Sequence, residues 1–76
     1  MNLKEFKEIS TPSEFNTNND WGFGGERGIS YTFKDAIFED GYWDYRHAKS
    51  EGFHKFRVGG LCVIKDDFLK HISKFN

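Results

Sequence analysis

The sequence is poor in the residues that crosslink, bend or anchor a polypeptide chain. It has one cysteine and one proline. It also lacks any apolar run near the roughly 20 residues of a membrane-spanning helix. The single cysteine, Cys62, cannot form an internal disulfide, which favours a reducing compartment. Residues 1–9 have no signal-peptide core. These absences predict a cytoplasmic protein without a membrane partner.

Neither sign of charge is in excess. Eleven Lys and Arg residues stand against twelve Asp and Glu residues, which gives a formal net charge of −1. A dedicated nucleic-acid binder usually has a strong basic excess. Direct binding of nucleic acid is therefore not favoured, although local patches leave it open.

Aromatic residues are abundant: nine Phe, three Tyr and two Trp make up 18% of the chain. They bury much area per residue, which suits the core of a small domain. We predict a single α+β domain over 1–76. Residues 1–28 form a short N-terminal helix and a Gly/Asn-rich loop, and 29–65 form an antiparallel meander of three to four strands. A C-terminal helix over 66–75 packs on one face of the sheet.

Capping residues and apolar spacing predict the helices. Asn2 and Glu5 have the spacing of a capping box, and a helix is expected over 3–9. Thr11-Pro12-Ser13-Glu14 indicates a second helix start, followed by a long loop over 16–28. The apolar face of the C-terminal helix comprises Phe68, Leu69, Ile72 and Phe75.

Turn residues predict the strands. Asp40-Gly41 and Gly59-Gly60 are typical of two-residue hairpin turns, and 49–52 fit a four-residue connection. A first strand is expected from Ile29 to Phe38, with a helix over 32–39 as the alternative. The later strands are expected at 42–48, 53–58 and 61–65.

Pairing outward from these turns sorts the side chains onto two faces. The predicted core face carries Ala36, Phe38, Trp43, Tyr45, Phe56, Val58, Leu61 and Val63. The other face carries Phe33, Asp35, Ile37, Asp44, Arg46, Phe53, Lys55, Arg57, Cys62 and Ile64. Arg57 is expected opposite Asp44, and Cys62 is expected to be a packed, unreactive thiol.

Two groups of residues are candidates for binding a partner. Arg and aromatic residues are enriched at interface hot spots. The first group, in the Gly-rich loop, is Trp21, Phe23 and Arg27. The second group, on the charged face, is Arg46, Lys55 and Arg57. The alternatives are that the loop aromatics fold back onto the sheet and that the charged face is merely solvated.

The three histidines form the third candidate site. The expected register pairs His47 with His54, and His71 lies at the edge of the buried face of the C-terminal helix. Three histidines could converge on zinc. A structural histidine pair is the more frequent arrangement, so we predict no metal or other cofactor.

One segment resembles a known family. Gly52-Phe53-His54-Lys55-Phe56-Arg57, then Gly59-Gly60 and an apolar strand that leads into a helix, is similar to HicA-type messenger-RNA interferase toxins. The resemblance covers residues 41–75. It implies a fold like that of double-stranded-RNA-binding domains and a catalytic role for His54. The chain departs from the family at Phe53, where a small polar residue is expected.

These observations leave two functional hypotheses. The first is a non-enzymatic protein that docks on a larger protein or ribonucleoprotein and blocks or modulates it. This hypothesis also allows the protein to form a homodimer. Inhibitors from phages and mobile elements, including anti-CRISPR proteins, and immunity or antitoxin proteins are of this kind. The alternative is RNA binding or cleavage, with His54 as general base and Lys55 and Arg57 on phosphates.

Overall fold

A computed structural model describes residues 1–18, 25–45 and 48–75, with side chains for 1–17, 25–44 and 52–75. Within these residues, five strands form one antiparallel sheet in chain order, and a helix precedes the first strand and follows the last along the chain. The elements are α1 (Leu3–Ile9), β1 (Thr11–Asn18), β2 (Gly25–Phe33), β3 (Ala36–Tyr45), β4 (Ala48–Val58), β5 (Leu61–Val63) and α2 (Lys65–Ile72). The predicted α+β class, with a meander and a C-terminal helix on one face, is confirmed.

The two end helices form where the capping and apolar patterns predict them. Asn2 caps α1 by accepting the N–H of Glu5 on its side-chain oxygen at 2.8 Å. The α1 helix ends at Ile9 and is capped by Ser10, whose hydroxyl donates to the Phe6 carbonyl. The α2 helix ends at Ile72, three residues before the predicted end.

The first segment after α1 is a strand, so the predicted helix start at Thr11-Pro12-Ser13-Glu14 is wrong. The predicted loop over 16–28 is also shorter than expected, because 16–18 belong to β1 and 25–28 to β2. The β1 strand pairs with β2 along its whole length, and Thr17 Oγ1 accepts the N–H of Glu26 at 3.0 Å. Pairing with β2 therefore overrides the local capping signal.

The hairpin between β2 and β3 turns at Lys34-Asp35, where Phe33 pairs with Ala36. The predicted turn at Asp40-Gly41 is wrong, as is the helix considered over 32–39. Asp40 and Gly41 lie inside β3. Lys34 takes the positive φ of 55° that the turn needs. No glycine or asparagine marks that position, which is why the sequence pattern missed it.

The segment 49–52 is also part of a strand, β4, and not a connection. Residues 46–47, between β3 and β4, lie outside the described residues. Outward pairing from Asp40-Gly41 predicts Phe38 opposite Trp43 and Ala36 opposite Tyr45, which is wrong, because Phe38 pairs with Phe56 and Ala36 with Val58. The third turn, Gly59-Gly60, is confirmed, with φ values of 60° and 83°. Outward pairing from this turn predicts Val58 opposite Leu61 and Phe56 opposite Val63, and both pairs are confirmed.

The core lies between the helices and one end of the sheet. Its buried residues are Phe6, Ala36, Phe38, Phe56, Phe68 and Ile72. The Phe38 ring stacks on Phe56 with centroids 5.1 Å apart, and Phe6 meets Phe68 edge-on at 5.2 Å. Each large apolar side chain contributes roughly 1.5–3 kcal/mol when fully buried. These rings therefore fasten both helices to β3 and β4.

Three predicted core residues, Ala36, Phe38 and Phe56, are buried as expected, and Val58 and Val63 pack against them. Two others are exposed: Trp43 at 39% and Leu61 at 72%. Leu61 lies on the short edge strand β5, and Trp43 lies on the opposite face of the sheet. The side chain of Tyr45 lies outside the described residues.

Neither described helix is long and apolar enough to cross a lipid bilayer.

Candidate partner-binding face

One face of the sheet lies away from both helices, and we call it the open face. Successive side chains of a strand point to opposite faces of the sheet. Phe38 and Phe56 are buried against the helices, so they mark the helix side, and the pairing of the strands then assigns every other position to one of the two faces. The open face carries Thr11, Ser13, Phe15, Thr17, Glu26, Ser30, Thr32, Ile37, Glu39, Trp43, Phe53, Lys55, Arg57 and Cys62. Phe33 instead lies on the helix side, where its ring meets Phe75.

Three aromatic rings gather at the middle of the open face. The Phe53 ring centroid is 5.6 Å from that of Trp43 and 6.3 Å from that of Phe15. Phe15 and Phe53 belong to β1 and β4, which are separated by two strands. They meet because Gly28 and Gly41 face each other on the intervening strands. A Cβ on Gly41 would lie 2.8 Å from the Cζ atoms of both rings. The glycines therefore make room for this aromatic cluster.

Two ion pairs border the aromatic cluster. Lys55 Nζ lies 3.0 Å from Glu26 Oε1 and 4.9 Å from the centroid of the Phe53 ring. Arg57 Nε lies 3.8 Å from Glu39 Oε1. Arg57 is therefore not paired with Asp44, contrary to the expected register.

In both ion pairs the cation is the more exposed partner. The side chains of Lys55 and Arg57 are 37% and 41% exposed, against 21% for Glu26 and 17% for Glu39. Both carboxylates lie deeper than the cations, and Glu26 accepts a hydrogen bond from Lys55. Arg57 Nε, by contrast, is buried without a hydrogen-bond partner among the described residues. A partner that approaches this face therefore meets positive groups first, although the four charges cancel.

The residues predicted for the first binding group do not share this face. Arg27 lies on the helix side of the sheet, with its Nε 2.7 Å from Asp44 Oδ2. It borders a cavity of about 480 Å³ together with Glu14, Ile29 and Tyr42. Trp21 and Phe23 of that group, and Arg46 of the second group, lie outside the described residues.

The described histidines engage different carboxylates. His54 Nε2 lies 3.3 Å from Asp40 Oδ1, and His71 Nε2 lies 2.9 Å from Asp35 Oδ1. The hydrogen bond from His71 holds the pKa of Asp35 below its ordinary value of 3.8. His47 lies outside the described residues. Among those described, no cluster of three or more His, Cys, Asp or Glu side chains could hold a metal ion.

His54 and the cations predicted to act with it point in opposite directions. The His54 ring lies on the helix side, 5.3 Å from the Phe38 ring, whereas Lys55 and Arg57 lie on the open face. A single phosphate site on one face therefore does not contain all three side chains.

Cys62 is exposed, so the expectation of a packed thiol is wrong. It lies opposite Arg57 on β5, and the short strand leaves its side chain in solvent.

Phe15 was not predicted to belong to the sheet, and Trp43 was predicted on the core face, whereas both lie on the open face. Ser13, Phe15 and Thr17 alternate with other residues in a way that fits a strand, and Pro12 is acceptable in an edge strand. Reading this segment as a strand would have brought Phe15 onto the sheet.

Comparisons with family models, curated proteins and solved structures find no match to this chain.

Proposed function

We propose that this protein is a non-enzymatic binding module that docks through its open face on a larger protein or ribonucleoprotein. The observation that carries the proposal is the aromatic cluster of Phe15, Trp43 and Phe53 beside the half-buried cations Lys55 and Arg57. Aromatic and arginine side chains are enriched at protein interfaces and among the few residues that dominate the binding energy. The hydrogen bond from Lys55 to Glu26 keeps that ammonium oriented, which reduces the entropy lost on docking.

By blocking a surface of its partner, such a module would act as an inhibitor. Phage and mobile-element inhibitors, including anti-CRISPR proteins, and immunity or antitoxin proteins are the classes that the proposal favours. The near-neutral charge of the chain and the balanced charges of the open face support a protein partner over a nucleic acid. The lone Cys62 supports a cytoplasmic location for the interaction.

The test begins with tagged protein as bait in a host lysate and identification of the captured partner by mass spectrometry. The purified partner is then titrated with the wild type and with two charge-reversal variants. Lys55→Glu changes the open face, and Lys4→Glu makes the same charge change on α1, away from that face. We expect Lys55→Glu to weaken binding about tenfold or more and Lys4→Glu to leave it within about threefold. Equal affinities of both variants and the wild type would exclude the open face.

RNA cleavage at His54 is the second candidate, and the contact with Asp40 is the observation that favours it. A carboxylate that orients a histidine is a common feature of general bases. The separation of His54 from Lys55 and Arg57 counts against it. Labelled single-stranded RNA, incubated with wild type and His54→Ala, tests it directly. Cleavage by the wild type alone would support the ribonuclease, and intact RNA with both proteins would remove it.

A further inference from the structure

A cavity of about 480 Å³ lies on the helix side of the sheet, opposite the open face. Glu14 pairs with Ile29 across β1 and β2, and Arg27 pairs with Tyr42 across β2 and β3. Sites for small molecules usually have volumes of about 300–1,000 Å³, so the cavity is large enough for one. The side chains that line it from the helix side are those of Glu14, Asn16, Arg27, Ile29 and Tyr42.

The positive charge beside the cavity is neutralised within the protein. Arg27 belongs to β2, and its Nε lies 2.7 Å from Oδ2 of Asp44, which belongs to β3. The ion pair therefore draws the guanidinium towards β3 and away from β1. Its two charges cancel, so the pair gives the cavity no net charge.

Glu14 on β1 carries the unbalanced charge among these lining side chains. It is exposed, and its carboxylate has no ion pair or hydrogen bond among the described residues. Asn16 lies two residues further along β1 on the same face, and its side-chain amide also has no partner in the described part of the chain. A carboxylate and an amide oxygen both accept hydrogen bonds from an ammonium group, and the carboxylate adds charge. The cavity therefore favours a cation over an anion.

The rest of the cavity offers apolar surface. Ile29 and Tyr42 are both half-buried. Because β2 separates β1 from β3, the backbones of Glu14 and Tyr42 lie about 10 Å apart, at about 4.8 Å per strand. A ligand with its ammonium group at Glu14 must extend across Ile29 to reach the Tyr42 ring. An aromatic ring joined to the ammonium by a short alkyl linker has this shape, and contact between two rings adds to the gain from apolar burial.

We propose that this cavity binds an arylalkylamine, with the ammonium group on Glu14 and Asn16 and the aromatic ring against Ile29 and Tyr42. This inference goes beyond the proposed docking function, because the cavity and the open face lie on opposite sides of the sheet. A small amine and a docking partner could therefore be bound at the same time.

The probe is phenethylamine, titrated into the isotope-labelled full-length protein and followed by NMR. We expect saturable shifts of the backbone amides of Glu14, Ile29 and Tyr42, with a roughly millimolar dissociation constant, as is ordinary for a ligand of this size. Phenylpropionate has the same ring and linker but a carboxylate in place of the ammonium group, so it should give no saturable shift. Absence of saturable shifts with the amine would overturn the inference, as would equal binding of the amine and the carboxylate.

Two variants test whether Glu14 selects the ligand. Glu14→Gln removes only the charge and should weaken amine binding about fivefold, since an exposed ion pair contributes up to about that factor. Glu5→Gln removes the same charge from an exposed position on α1 and should bind within about twofold of the wild type. Both positions are exposed, so both variants should fold. Equal affinities of Glu14→Gln and the wild type would contradict the assignment.

The indole N–H of Trp43 reports on the competing site. Trp43 belongs to the aromatic cluster of the open face, where its ring lies 5.6 Å from that of Phe53. Binding in the cavity should leave the indole signal unchanged. If the amine shifts that signal but not the amides of Glu14, Ile29 and Tyr42, the ligand binds the open face and the inference is wrong.

Discussion

Replacing Gly28 by alanine should destabilise the protein severely. Gly28 lies opposite Gly41 across β2 and β3, at a position where the strands do not hydrogen-bond and their Cα atoms come closest. A Cβ built on Gly28 overlaps the carbonyl oxygen of Asp40 and the Cα of Gly41. Both neighbours are backbone atoms of the central strand, so no side chain can rotate to make room. The two strands would have to separate.

The size of the expected loss of stability follows from the cost of overpacking. Extra methyl groups in packed sites typically cost 1–3 kcal/mol, and we expect about 3 kcal/mol because backbone must move. A domain of 76 residues has a free energy of unfolding of about 4–11 kcal/mol, at roughly 0.05–0.15 kcal/mol per residue. With a urea m-value of about 1 kcal/mol/M, the unfolding midpoint should fall by about 3 M.

The assay is urea unfolding followed by circular dichroism, with Gly52→Ala as the matched control. A Cβ on Gly52 would lie 3.2 Å from the Gly41 carbonyl oxygen, at an exposed edge of the sheet. Its free energy of unfolding should stay within about 1 kcal/mol of the wild type. The proposed close packing of β2 on β3 is refuted if the free energy of unfolding of Gly28→Ala lies within about 0.5 kcal/mol of the wild-type value.

Three further predictions concern the turn at Lys34-Asp35 and the exposed thiol. Lys34→Gly should be more stable than Lys34→Ala by about 1 kcal/mol in urea unfolding. Both variants lose the ammonium group, but only alanine keeps the backbone strain of a φ of 55°. Equal free energies of unfolding would contradict this prediction. Asp35 has a lowered pKa in the folded protein, so its stabilising effect is present above pH 3.8 and is lost as the pH falls through the folded pKa. NMR titration should find the pKa of Asp35 nearer 3.8 in His71→Ala, and an unchanged value would show that His71 is not the cause. Cys62 should react with a thiol reagent in native buffer nearly as fast as in denaturant, and a strongly slowed reaction would show that it is covered.

The sequence predicted those elements whose signals are local. The α1 helix has its cap in Asn2, and Gly59-Gly60 supplies the positive φ values that the last hairpin needs. Both signals involve only neighbouring residues, and both were confirmed. The burial of Phe68 and Ile72 on α2 also followed from their spacing.

The failed predictions involve residues whose local preference is overridden by distant contacts. Asp40 has the character of a turn residue, but in β3 its carboxylate lies 3.8 Å from Lys7 and 3.3 Å from His54. Gly41 is present because the rings of Phe15 and Phe53 cover it. None of these neighbours is close in sequence to Asp40 or Gly41. A glycine that is needed for packing therefore looks, in sequence, like a glycine that is needed for a turn.

The misplaced turn also explains which residues were assigned to the correct face of the sheet. Alternation within a strand does not depend on where the strand turns, so Lys55 and Arg57 were assigned to the face opposite Phe56 and Val58 in either register. Trp43 was different, because its face was inferred across the supposed turn at Asp40-Gly41. A two-residue turn puts Trp43 on the same face as Phe38, whereas a continuous strand puts it on the opposite face. The continuous β3 strand thus moves Trp43 out of the core and against Phe53, and this shift creates the aromatic cluster on which the proposed docking face depends.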